Sequence, residues 1–493
     1  MNSPSALRRL PPSVRRWLVG AAVLTVLGAY GWFLGARAVI APAGADSSGY
    51  FNFARLLVHG QLHYAVREIE QLPAPDQPWF LYCPHGLLLR ADQGHLVPTY
   101  PVGYPLLLAP GLTLGDAVGP RLVMVLHALA LVGLTFCLAR RLRASVAASA
   151  LAAAAVGASP LFINLGLVAL SDLPATTWAT AALVCALGSS RRSAVAAGFC
   201  AGLAFLIRPT NALLLLPLLI ARGGFRRTLW CSLGGLPAVL LWLGLNRALY
   251  GHALMTGYGD VRSYFSFTWV PATLLHYLRW LPVAATPLVV LVVALPWAKR
   301  LDRRAAAAVG AWVLALGGFY ACYNFTHREW LFMRFLAPAL PALIALAAVA
   351  GADLLSRPRW RRWATPVVGM IALVIPRHGF RSWHELHMHN AAPAARAYLT
   401  LTELVRTHVP TRGVVLAGEA SGTLFYGVPH VIVRWDCVEN AWPRVQAAAR
   451  AAERPVYAAL MAIEDPAQFR ARVPGDWQLV ARGDNCSLWR LAP

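Results

Sequence analysis

Two aspartates and three arginines hold positions in this sequence from which they could move a proton and grip a phosphate. Asp46 stands just past the first long apolar run, ahead of an amphipathic helical pattern from Tyr50 to Leu57. A carboxylate there can cap the helix or, held at a membrane surface, can take a proton from a hydroxyl. Asp172 begins a later apolar run, with Pro174 two residues on. Asp and Pro suit a helix start, yet an ionisable group at a membrane boundary is costly without a partner or a task. Arg208, Arg328 and Arg334 fall at the ends of apolar runs. A guanidinium is a planar fork that makes bidentate, charge-assisted hydrogen bonds to phosphate. It also snorkels to lipid headgroups with no substrate at all.

These residues need a scaffold that holds them at a membrane face, and the composition supplies one. Of 493 residues 58% are hydrophobic and only 13% charged, where a soluble domain carries about a quarter charged. Apolar runs fall near 17–39, 119–138, 144–162, 169–188, 193–207, 210–221, 228–247, 282–298, 305–322, 335–353 and 363–377. Each approaches the ~20 residues of a bilayer span, which predicts about eleven spans. The runs at 193–207 and 210–221 are short and split by Arg208-Pro209. The first run is too long for a signal-peptide core and is read as a retained span.

The net charge of +23 excludes little by itself, but its placement argues against nucleic acid, because no continuous basic face exists to hold a duplex. The charge sits in alternate short loops. With the N-terminus and its Arg8, Arg9, Arg15 and Arg16 in the cytoplasm, the inner loops carry Arg140, Arg141 and Arg143; Arg191 and Arg192; Arg222, Arg226 and Arg227; Lys299, Arg300, Arg303 and Arg304; and Arg357, Arg359, Arg361 and Arg362. This is the positive-inside pattern of a multi-pass plasma (inner) membrane protein. It places the loops near 40–118, 248–281 and 323–334, and everything past the last span, outside the cytoplasm.

Residues 392–493 change character. Short β-rich runs at Val414–Ala417, Val431–Trp435, Val456–Leu460, Trp477–Val480 and Ser487–Leu491 alternate with helical patterns at Ala395–His408 and Trp442–Ala452. A small extracytoplasmic α/β domain is expected there, after a membrane domain over 1–391. Gly418 to Gly422 is not a phosphate loop, since the Gly-Lys-Ser/Thr ending is missing. Cys137, Cys185, Cys200 and Cys231 read as small buried apolar residues, while Cys437 and Cys486 share the polar region, where an oxidising compartment permits a disulfide. No Cys/His zinc spacing occurs. His384, His387 and His389 cluster after the last span at a spacing that mimics metal binding, and are read in preference as a juxtamembrane polar segment. In the first outer loop His59, His63, Tyr64, Trp79 and His85 either line an acceptor groove or simply pack the loop.

Five segments carry a resemblance. Asp-Ser-Ser-Gly-Tyr-Phe-Asn-Phe-Ala-Arg-Leu-Leu-Val-His-Gly from Asp46 resembles the first-loop segment of the glycosyltransferase-C superfamily, and Tyr100-Pro-Val-Gly-Tyr-Pro looks like the segment closing that loop. Ser171-Asp-Leu-Pro matches the second acidic motif, and Ile207-Arg-Pro-Thr and Arg334-Phe-Leu-Ala-Pro-Ala-Leu-Pro look like further signatures. The resemblance is to the subgroups of protein O-mannosyltransferases, aminoarabinose transferases and lipopolysaccharide-core transferases. It implies an α-helical polytopic membrane enzyme that moves a monosaccharide from a polyprenyl-phosphate donor to an acceptor hydroxyl of a glycan, lipid or protein. In that implied site Asp46 is the base, Asp172 a second acid beside it, and Arg208, Arg334 and Arg328 bind the donor phosphate. Tyr50, Tyr100, Tyr104, Tyr258 and His327 are candidates for the donor or acceptor groove. Some members carry two adjacent acids in the first motif. Here Ser47 and Ser48 follow Asp46, so a divalent cation is not expected.

Two other classes fit parts of the pattern. A transporter or lipid flippase predicts charged or broken spans near the midplane and comparable features on both faces, whereas the polar residues here concentrate outside. An assembly protein with a degenerate transferase fold would not need Asp46, Asp172 and the arginines.

Overall fold

The computed structural model describes residues 11–74, 80–90, 92–222, 224–299 and 301–492. Of the residues singled out above, Arg8, Arg9, Trp79 and Arg300 lie outside this set. The chain begins with α1 (Pro12–Arg37), which has proline in its first turn. Trp17 and Leu24 on it are 80% and 71% exposed, a surface that suits lipid and not water.

The first loop holds α2 (Gly44–Val58) and a small antiparallel sheet of β1 (Tyr64–Ala65), β2 (Leu87–Arg90) and β3 (His95–Pro98), with β3 in the middle. Helix α3 (Gly103–Leu112) closes the loop and packs on α2. The bundle continues through α4 (Val118–Arg141), α5 (Val146–Gly157), α6 (Pro160–Leu167), α7 (Asp172–Ala186), α8 (Arg191–Ile207), α9 (Leu215–Arg222) and α10 (Phe225–Tyr250). It ends with α11 (Val270–Trp280), α12 (Arg303–Ala321), α13 (Leu340–Leu355) and α14 (Ala364–Glu385). Helix α13 is apolar all round and every residue from Leu340 to Gly351 is buried, so it forms the middle of the bundle. Helices α8 and α10 touch backbone to backbone: a Cβ on Gly198 would sit 1.7 Å from the Cys231 carbonyl oxygen. Small residues permit such approach where lipid gives no hydrophobic drive for association.

Among the described residues five helical stretches are long and apolar enough to cross a membrane, at Arg16–Arg37, Val118–Arg141, Phe225–Tyr250, Arg303–Ala321 and Trp330–Leu355. They become seven if two bent pairs each count as one: α5 with α6, bent by 51°, and Phe267–Ala285 with Pro287–Trp297, bent by 113°. Hydropathy alone predicts about eleven, and the remaining apolar runs are helices that are bent or too short to pass as single full-length spans. The apolar runs beginning at 144 and 282 are broken at Ser159-Pro160 and Thr286-Pro287. With 15 and 17 residues, α7 and α8 reach only about 22–26 Å at the helical rise.

Past α14 come α15 (Ala391–His408), β4 (Val414–Leu416), α16 (Ser421–Gly427), β5 (Val431–Val433), α17 (Trp442–Ala451), β6 (Val456–Met461), α18 (Pro466–Arg472), β7 (Trp477–Gly483) and β8 (Cys486–Leu491). The strand order is β5-β4-β6-β8-β7, with β4 parallel to β5 and β6 and the last two pairings antiparallel. Val415, Tyr457 and Leu488 face α15 and α16, while Val414, Leu416 and Ala458 face α17 and α18. The parallel strands β4, β5 and β6 are buried and read as continuous apolar runs, as buried parallel strands do. Cys486 is buried as a free thiol, so a Cys437–Cys486 bridge is not formed.

The first loop enters both cores of this sheet. Ile69, Leu72, Leu81 and Tyr82 join the α17 side, and Cys83, Leu87 and Leu96 join the α15 side. A backbone bond stitches the joint, with the Arg434 amide donating to Leu81 O at 2.8 Å.

Candidate active site

Four charged side chains from four separate segments meet at one end of the bundle. Asp46 lies in the first turn of α2, whose N-cap, Ala43, supplies no side-chain cap. Asp172 is the first residue of α7. Both carboxylates therefore sit where the partial positive charge of a helix N-terminus favours them. Arg208 leaves α8 in an extended conformation, φ −141° and ψ 110°. The following Pro209 imposes that break, because its ring disfavours a helical residue before it. Arg334 belongs to the 3-10 segment Trp330–Ala339 that leads into α13.

The charges alternate. Arg334 Nη2 donates to Asp46 Oδ2 at 3.0 Å. Arg334 Nη1 is 3.8 Å from Asp172 Oδ2, and Arg208 Nη1 is 2.9 Å from Asp172 Oδ1. The last contact is short yet lies off the hydrogen-bonding direction. Both Asp172 oxygens, Arg208 Nη1 and Arg334 Nε are buried without a hydrogen-bond partner. The two pairs made by Asp172 are thus Coulombic contacts with donors to spare, in a setting where buried polar groups are normally satisfied. Asp172 is 1% exposed at its side chain, both arginines 15% and Asp46 31%, so Asp46 is the acid that faces outward.

Burial pushes the Asp46 pKa up, but Arg334, with the Tyr100 hydroxyl and Arg208, pulls harder, and the carboxyl lies below its ordinary value. Asp46 is therefore an anion at neutral pH. Beneath the guanidiniums lies Phe335, its ring centroid 5.8 Å from Arg208 Cζ and 5.5 Å from Arg334 Cζ. Tyr320 stacks on that ring at 5.1 Å, and its hydroxyl donates to Thr210 Oγ1 at 3.2 Å. Arg208 Nε donates to Ser171 Oγ at 3.3 Å, and the Tyr50 hydroxyl lies 2.9 Å from the same oxygen.

The remaining candidates divide. Tyr50 and Tyr100 join the cluster, with rings 5.0 Å apart, and Tyr258 stands edge-on to Tyr100 at 6.0 Å, half exposed at the rim. Tyr104 turns inward: it is fully buried and its hydroxyl donates to Met124 Sδ at 3.1 Å. It supports Tyr50 from behind and does not line a groove. Arg328 is exposed and rests on the Phe325 ring at 4.3 Å, outside the charge cluster, and His327 stacks on Trp269 at 5.3 Å. The first-loop residues mostly pack: Tyr64 OH donates to Asn52 O at 2.8 Å, His63 stacks on His95 at 4.0 Å, and the His85 amide donates to Ser421 Oγ at 3.1 Å. Among the described residues no three His, Cys, Asp or Glu side chains converge as a metal would require, and a guanidinium already faces each site carboxylate. That donor set does not fit a divalent cation.

Sequence reasoning gave no role to Ser171, Tyr320 or Thr210. Ser171 stands beside Asp172 in a segment that was legible, but Tyr320 sits inside an apolar run where nothing marks it.

No protein-family model and no curated protein matches the chain. Solved structures do. The chain is similar to ArnT from Cupriavidus metallidurans bound to undecaprenyl phosphate, with a TM-score of 0.61 and 16% identity over 96% of this chain and 98% of that one. It is also similar to the oligosaccharyltransferase AglB from Archaeoglobus fulgidus in complex with an inhibitory peptide and a dolichol-phosphate, with a TM-score of 0.55 and 10% identity over 96% and 74% of the two chains. This chain shares the fold of both neighbours.

Proposed function

We propose that the protein transfers a monosaccharide from a polyprenyl-phosphate donor to an acceptor hydroxyl at the extracytoplasmic face of the plasma membrane. The observation that carries this reading is the buried Asp46–Arg334–Asp172–Arg208 cluster, with its unbonded guanidinium and carboxylate atoms, on a fold shared with polyprenyl-phosphate-binding neighbours. The reading carries the topology of about eleven spans, with the shorter apolar helices completing the crossings. It also places residues 392–493 outside the cytoplasm as a domain over the site.

The chemistry is a single displacement. Asp46 takes the proton of the acceptor hydroxyl, and the acceptor oxygen attacks the anomeric carbon. The bond from that carbon to the phosphate oxygen breaks, and the lipid phosphate leaves with the electron pair. The anomeric centre is inverted. A lipid phosphate is already stable as an anion, so the paired acid and base of a glycosidase are not needed. What is needed is a cationic clamp where charge develops, and Arg208 and Arg334 over Phe335 have that form. Asp172, held between the two guanidiniums, is a positioning residue.

Asp46 is a weak base while Arg334 faces it. When the donor phosphate draws Arg334 away, its proton affinity rises, which times the base to the loaded site.

The test is transfer from a panel of radiolabelled polyprenyl-phosphate sugars in membranes, wild type against Asp46→Asn. Label moved to acceptor by the wild type alone supports the reading and names the sugar. Equal transfer by the Asp46→Asn variant sinks the assignment of the base. Label that changes leaflet without leaving its lipid would favour a flippase.

A further inference from the structure

A second gathering of arginines and aromatics lies at the opposite end of α13. Arg357-Pro-Arg-Trp-Arg-Arg-Trp363 joins α13 to α14 and packs four guanidiniums and two indoles into seven residues. Trp360 and Trp363 are 41% and 49% exposed, as indoles are at headgroup level. Arg359 lies over Trp360 at 5.4 Å, Arg362 over Trp363 at 5.6 Å, and Arg357 donates to the Trp297 carbonyl.

Arg361 is placed differently, at the wall of a cavity of about 480 Å³. Leu151 of α5, Leu288 and Leu291 of the 287–297 segment, Leu355 of α13, and Val368 and Ile371 of α14 make it apolar, and Ser145 and Ser356 add two hydroxyls. The Ser356 hydroxyl spends its proton on Asp353 O at 2.7 Å. Ser145 Oγ accepts from the Ala148 amide at 3.2 Å and keeps its proton to donate. The nearby Asp353 carboxylate is engaged by the Lys299 amide at 3.0 Å.

An apolar cavity between helices, with a guanidinium and a hydroxyl donor beside it, suits an amphiphile with an anionic head. Its size falls within the roughly 300–1,000 Å³ of ligand pockets. Basic pockets between membrane helices on the cytoplasmic side are known to take anionic headgroups. We propose that this cavity binds an acyl chain of an anionic phospholipid, whose phosphate sits on Arg361 and Ser145. The other three arginines of the segment disfavour a headgroup that carries its own cation. The site is separate from the Asp46 cluster, because the sixteen residues of α13 set the two ends about 24 Å apart.

Native mass spectrometry of the full chain in detergent tests this, with phosphatidylglycerol and phosphatidylcholine of matched chains titrated separately. The expected result is one phosphatidylglycerol bound about tenfold more tightly than phosphatidylcholine, with the preference lost in Arg361→Gln. Ala352→Phe, which fills the cavity from α13, should lower binding of the same lipid. If that variant does not fold, Arg361→Gln on the exposed segment still decides. Equal binding of the two lipids, or unchanged phosphatidylglycerol binding in Arg361→Gln, overturns the proposal. So does undecaprenyl phosphate binding the wild type more tightly than phosphatidylglycerol, with that preference lost in Arg361→Gln, which would make the occupant a polyprenyl lipid.

Discussion

The two ends of α13 use arginine in opposite ways. Near its start Arg334, with Arg208, is sunk among two aspartates and four aromatic rings, and each guanidinium is held to a small set of contacts. Past its end Arg357, Arg359, Arg361 and Arg362 stand among indoles with no acid in their segment. The first setting fixes geometry and keeps its net charge at zero. The second keeps its positive charge on display, which is what a lipid headgroup or an orientation signal responds to. A hydropathy profile sees the same residue type at a span end in both places, and only the company it keeps tells them apart.

That contrast can be broken first at Asp46. Asp46→Asn should cut transfer by about 10³-fold, within the range for loss of a general base, while leaving the thermal unfolding midpoint near that of the wild type. The next effect is on stability. Arg208→Gln strands the buried Asp172 beside Arg334 alone and should cost about 3–5 kcal/mol, read as a lowered midpoint in detergent. Adding Asp172→Asn should recover much of the midpoint but none of the transfer, which separates folding from clamping. If the double variant unfolds as readily as the single one, the pair is not an electrostatic unit.

Gly422→Ala probes the seam between the first loop and the last hundred residues. A Cβ there would meet Ser48 Oγ at 2.2 Å and the His85 carbonyl oxygen at 2.4 Å, costing about 1–3 kcal/mol by overpacking. Arg328→Gln, outside the cluster on Phe325, should change kcat/KM by less than about tenfold, well short of the clamp arginines. The smallest effect is in pH. The free Asp46 carboxyl lies below its ordinary value of 3.8, so kcat/KM should hold down to about pH 4. The acid limb of kcat should lie higher, because the donor phosphate then competes for Arg334. Coincident limbs would show that Arg334 does not change partners. By the same sign, the stability that Asp46 contributes is present above its unfolded value and disappears as pH falls through its folded one.

Much of this was readable from sequence, and unevenly so. Each of the five β-rich runs past residue 392 overlaps a strand, because β-branched and aromatic content marks a strand even when it is short. The break at Arg208-Pro209 was also plain, since proline acts on the residue before it whatever the fold. The bends inside the runs that begin at 144 and 282 were not, because hydropathy averages composition and is blind to a bend of 113° between two apolar pieces. Tyr104 looked like Tyr50 and Tyr100 in sequence, and only Met124, on a different helix, turns it inward. Ile69, Leu72 and Leu81 show no period at all. Their partners are in strands and helices near the other end of the chain, and no local pattern carries that information.

The shared core of loop and sheet also sets an order of events during synthesis. Roughly 350 residues separate Ile69 from Val414, and at about 5–20 residues per second the ribosome needs on the order of 20–70 s to cross them. In the proposed topology the first loop is for that time already across the membrane, with Leu72, Leu81 and Tyr82 uncovered. The segment carrying Asp46 thus completes its packing among the last, and a chain released before Val414 leaves this loop as an open target for envelope proteases.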